Sequence, residues 1–62
     1  MEVGFVFYQE DGTFKGWLDD YPAYRFQSPT LEDLKDHLRE LFIVKTGGRI
    51  SDFRLNGRLV IH

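Results

Sequence analysis

Four carboxylates stand in adjacent pairs, Glu10-Asp11 and Asp19-Asp20. Such residues can hold divalent metal ions for phosphodiester hydrolysis. That chemistry needs three or four carboxylates converging on two ions ~3.5–4 Å apart. A predicted strand separates the two pairs. At ~3.3 Å per residue they lie at opposite ends of it and cannot share a site within one chain. No predicted strand interior holds an acid, so nuclease chemistry is not expected. The two histidines nominate nothing better. His37 lies beside Leu34 and Leu41 on a helical stripe with neither nucleophile nor orienting acid assigned to it, and reads as a helix-surface residue. His62 is the last residue of the chain and reads as a mobile terminus. Without cysteine, disulfides and thiolate metal sites are excluded. No catalytic residue, metal or cofactor is expected.

Two glycine-containing stretches have structural accounts. Gly4-Phe5-Val6-Phe7 has the look of a base-stacking strand of an RNA-recognition motif. No basic residue precedes it and the second aromatic strand and second helix are missing, so ordinary strand packing is expected. Thr46-Gly47-Gly48-Arg49 has the glycines of a phosphate loop, but it follows a helix instead of opening one. It reads as a helix stop.

What remains is aromatic. Rings make up 16% of 62 residues, and each can bury roughly 150–250 Å². That is more than so small a core needs, at a size where one core is marginal. Tyr8 and Trp17 share strand parity away from Phe5 and Phe14, while Tyr21 sits in the turn with Asp19 and Asp20. With Tyr24 they make a candidate partner or oligomer interface, since Trp and Tyr are common interface anchors. The competing reading is a second small core. Net charge is −2, unevenly spread. Residues 1–40 hold nine acids and four bases (−5), and residues 41–62 one acid and four bases (+3). An acidic first part disfavours phosphate-backbone binding and suits a basic partner. No apolar run reaches the ~20 residues of a membrane span, and the start carries no secretion signal. The cytoplasm is the expected compartment.

These residues need elements to position them. Val3–Gln9 is rich in β-branched and aromatic residues and predicts a central strand, with Val3, Phe5 and Phe7 on one face and Val6 and Tyr8 on the other. Asp11-Gly12 predicts a hairpin turn into a strand over Thr13–Leu18. After Asp19-Asp20-Tyr21-Pro22, a short third strand is predicted over Tyr24–Gln27. Thr30 is a good N-cap with Asp33 three residues on, and Ser28-Pro29 offers an alternative start. Leu31, Leu34, Leu38, Leu41 and Phe42 form one apolar stripe. Ile43 falls outside the stripe, either exposed or marking the end, and Gly47-Gly48 stops the helix. Leu59-Val60-Ile61 predicts a final strand. Asn56-Gly57 either turns a hairpin from Phe53-Arg54-Leu55 into it or ends a loop. A strand after a crossover helix pairs parallel with the first. The expectation is an α+β domain, β-β-β-α-β, with a mostly antiparallel sheet in order 3-2-1-4 and one helix on one face.

This order of signals resembles the HicB family of antitoxins, whose N-terminal domain is a partial RNase H-like fold. Asp20-Tyr21-Pro22-Ala23 stands at the family's Asp-x-Pro-Gly turn, with alanine in the glycine place. Gln27-Ser28 takes the Gln-Gly place, and Thr30-Leu31-Glu32-Asp33 matches the helix opening. Leu38-Arg39-Glu40-Leu41 to Thr46-Gly47-Gly48-Arg49-Ile50 is similar to short members that run from helix into a glycine turn. The resemblance spans roughly residues 3–61 and implies a single non-enzymatic domain over 1–62. It also implies a partner of the HicA type, a small basic mRNA-cleaving toxin neutralised by direct binding. Many members carry a DNA-binding segment after this domain. The chain ends at His62 without one, so no direct DNA binding is expected. The alternative is a stand-alone homo-oligomer of the same fold, structural or ligand-binding, with no toxin. A dimer or tetramer is expected under either reading.

Overall fold

The computed structural model of the chain describes residues 1–50 and 52–60. The elements run β1 (Glu2–Glu10), β2 (Thr13–Leu18), β3 (Phe26–Ser28), α1 (Leu31–Lys45) and β4 (Arg54–Leu59). They form one sheet in the order β3-β2-β1-β4. β1 pairs antiparallel with β2 and parallel with β4, while β2 pairs antiparallel with β3. The α+β architecture and strand order are those the sequence predicts.

β1 and β2 meet through Asp11 and Gly12, both at positive φ (53° and 78°). A two-residue hairpin turn with left-handed backbone at both positions matches the twist of the flanking strands. The register places Phe5 opposite Leu18 and Phe7 opposite Gly16. Odd-numbered β1 residues therefore share a face with even-numbered β2 residues, and α1 covers that face. The helix starts where its cap chemistry directs: the Asp33 N–H donates to Thr30 Oγ1 at 3.1 Å, with Thr30 in extended backbone. Its stripe buries Leu34, Leu38 and Phe42 against Val3, Phe5, Leu18 and Leu55. Gly16 allows close packing with β1 as well as with the helix, since a Cβ there would clash with the Val6 carbonyl oxygen and lie 3.2 Å from Leu34 Cδ2. The helix runs on through Ile43, which is exposed, and stops before Gly47 and Gly48, both at positive φ. It packs on β2 and β3.

Two expectations change. The third strand is Phe26–Ser28, not Tyr24–Gln27. Tyr24 instead belongs to the turn after Pro22, where its N–H donates to Tyr21 O at 3.1 Å. Asn56-Gly57 turns no hairpin: Arg54–Leu59 is one continuous strand beside β1, with Gly57 opposite Phe5. A Cβ at Gly57 would meet Phe5 Cζ at 2.4 Å, so glycine is there to admit a ring and not to bend the chain. The readings of Ile61 and His62 lie outside the described residues.

Candidate functional site: the open face of the sheet

The face away from the helix is built by the opposite parity. Val6 stands across from Trp17 and from Arg58, Tyr8 across from Lys15, and Lys15 across from Gln27. Tyr8 and Trp17 meet edge to face with ring centroids 6.4 Å apart, a favoured aromatic geometry. The Arg25 guanidinium lies 4.3 Å from the Trp17 ring centroid, a cation–π contact brought in from the turn. Tyr8, Trp17 and Lys15 are half-buried although no helix covers them. Together with Gly16, Arg25, Phe26 and Gln27 they line an open groove of about 280 Å³.

Charges on this face are largely spent on one another. Lys15 Nζ donates to Glu10 Oε1 at 2.8 Å, and that bond holds the lysine above its ordinary pKa. Arg58 grips Asp19 with both terminal nitrogens, Nη1 to Oδ2 at 2.9 Å and Nη2 to Oδ1 at 2.7 Å. This fork matches a carboxylate's geometry and holds Asp19 below the usual carboxylate range. The pair lies across Gly4, where a Cβ would stand 2.3 Å from Asp19 Oδ2. The Asp19 N–H also donates to Gly4 O at 3.0 Å, pinning the end of β2 onto β1.

The six candidate interface residues divide. Tyr8, Trp17 and Asp19 lie together on the open face. Tyr21 packs against the helix-side core and meets Tyr24 edge to face at 6.5 Å. Tyr24 is held by Lys45 at the end of α1, whose Nζ donates to the phenol oxygen at 2.7 Å. Asp20 is exposed in the turn between these two groups. The picture of one aromatic patch rimmed by Asp19 and Asp20 is therefore revised. Asp19 is neutralised by Arg58, and the acids of α1, Glu32, Asp33, Asp36 and Glu40, lie on the opposite side of the sheet interleaved with Lys35 and Arg39, the latter 4.0 Å from Asp36. Sequence reasoning missed Arg25 and Arg58. Arg25 is recoverable from its alternation with Phe26, which puts it on the Trp17 face. Arg58 is not recoverable while Asn56-Gly57 reads as either a hairpin turn or the end of a loop.

His37 is exposed and stacks on Phe26, rings 5.7 Å apart and nearly parallel. Among the described residues no group of three or more His, Cys, Asp or Glu is placed to hold a metal ion. No helix of the described residues is long and apolar enough to cross a membrane. No protein-family model, curated protein or solved structure matches this chain.

Proposed function

We propose that this is a non-enzymatic, cytoplasmic protein-binding domain of the HicB antitoxin type. Its partner is a small basic mRNA-cleaving toxin of the HicA type, neutralised by direct docking. One observation carries the reading: the Tyr8–Trp17–Arg25 cluster, with its groove, on a face that no element of the described chain covers. Tyr, Trp and Arg are the side chains that most often anchor protein interfaces. The acid excess of residues 1–40, nine acids against four bases, favours encounter with a basic partner.

Co-expression with a small basic protein encoded beside it tests the proposal. Growth rescue and a co-purifying complex are expected, and separate elution of the two at micromolar concentration overturns it. Trp17→Ala weakens the complex more than Lys15→Ala, because the indole packs between Tyr8 and Arg25 while Lys15 is occupied by Glu10. Equal effects place the anchor elsewhere. The pairing of Lys15 with Glu10 and of Arg58 with Asp19 favours a second reading. A face without a dominant sign of charge suits a second copy of itself, and the domain is then a stand-alone homo-oligomer. Light scattering with Trp17→Ala distinguishes the two, since only the second reading loses self-association through that substitution.

A further inference from the structure

The two edges of the sheet differ. β3 is three residues long and bounded by Pro22 before and Pro29 after, so it offers little ladder to another chain. β4 spans six residues, contains no proline, and is the other outer strand. At its two ends the Arg54 N–H donates to Met1 O at 2.9 Å and the Val60 N–H to Phe7 O at 2.8 Å. Even-numbered residues thus turn their backbone groups inward to β1. By the alternation of a strand, Leu55, Gly57 and Leu59 turn theirs outward. Leu59 is 62% exposed, large and apolar at an open edge.

The geometry points to a second copy of this chain pairing antiparallel along β4, about a two-fold axis at Gly57. The occupant follows from self-complementarity. Shifts by an odd number of residues put core-side groups on the wrong face, so only registers preserving parity remain. A register centred on Asn56 sets Arg54 across from Arg58 of the second copy, and one centred on Arg58 sets two arginines against each other. Like charges directly opposite are destabilising. Centring on Gly57 avoids both. Leu59 then stands across from Leu55 of the second copy, Arg58 across from Asn56, and Arg54 across from Val60. All three outward-turned residues become hydrogen-bonded pairs. At the axis each Gly57 is capped by its own Phe5 ring, so the two helix-side cores approach each other in one continuous sheet.

A single strand pair covers less than the roughly 1,200 Å² of a standard interface, so a weak, reversible dimer is expected. The inference uses the edge and not the open face, and stands independently of the proposed function. Sedimentation velocity from micromolar to near-millimolar concentration shows a monomer–dimer equilibrium. Leu59→Pro removes an outward N–H yet keeps the Val60 bond to Phe7, and Leu59→Lys places charge at the edge. Each raises the dissociation constant by about tenfold or more with the thermal transition retained, whereas Trp17→Ala leaves it unchanged. Because the chain lacks cysteine, an oxidised mixture of Asn56→Cys and Arg58→Cys proteins reads the register. Mixed disulfides dominate if Gly57 is the axis. A wild-type protein monomeric throughout, a dimer indifferent to Leu59→Lys, or cross-linking by Asn56→Cys alone overturns the inference.

Discussion

The two faces of this sheet solve the same burial problem with different chemistry. The helix side is closed by aliphatic and phenyl groups: Phe5, Leu18, Leu34 and Leu38 are essentially without solvent contact. The other side has no covering element among the described residues and shields itself. Val6, Tyr8 and Trp17 pack across strands, Arg25 lies over the indole, and an Asp19–Arg58 fork closes over Gly4. On the covered face, stability rests on shape and volume. On the open face it rests on arrangements that a docking partner can rearrange at small cost. A small domain can thus keep a binding surface ready without leaving its rings wholly wet.

That contrast can be broken by substitution. Leu34→Ala or Leu38→Ala empties fully buried volume and costs about 3–5 kcal/mol, a large part of what a domain of this size has. Chemical denaturation should find either variant largely unfolded. Trp17→Ala, on the open face, should melt cooperatively. The glycines sharpen the comparison. Gly57→Ala pushes a methyl group into the Phe5 ring, held within the core, and costs about 1–3 kcal/mol. Gly4→Ala meets the exposed side-chain ends of Asp19 and Arg58, which can swing aside, so its midpoint in a urea titration falls much less.

Acid titration separates the faces next. Arg58 depresses the Asp19 pKa, so this pair's contribution is present above the carboxylate's unfolded value of about 3.9. It is lost as pH falls through the lower folded value. Asp19→Asn should therefore reduce stability slightly at neutral pH and flatten the acid limb below about pH 4. An unchanged acid limb means that the ion pair does not form in solution. The smallest effect expected is on the covered face. Ser28 is buried, and its hydroxyl has no hydrogen-bond partner among the described residues. Ser28→Ala should be neutral or raise the melting temperature, because no bond is lost and a desolvated polar group is removed.

Much of this organisation is legible in the residues. The helix announces itself through Thr30, Asp33 and a stripe with no competing pattern. β1 and β2 follow from alternation around Asp11-Gly12. The covered face was legible because its members repeat at fixed periods. The final strand and its place beside β1 are legible, but not its start at Arg54, because Asn56-Gly57 has the composition of a turn and only the Phe5 ring opposite shows what Gly57 is for. The open-face cluster was half legible. Tyr8 and Trp17 share parity, but Arg58 is 39 residues from Asp19 in sequence, and no local pattern encodes that pairing. Tyr21 and Tyr24 are not legible as separate from that cluster, because the turn at Pro22 that carries both to the helix side has no periodic signal.

The parallel pairing of β4 with β1 bears on how the protein is born. β1 emerges first from the ribosome, yet one of its two long sides stays bare until residues through Leu59 have followed. The nascent hairpin and helix can condense early, whereas β1 gains its second neighbour only after β4 has followed. Between those moments a neighbouring nascent chain can donate its last strand instead, so crowded polysomes would favour exchanged pairs over self-closed molecules.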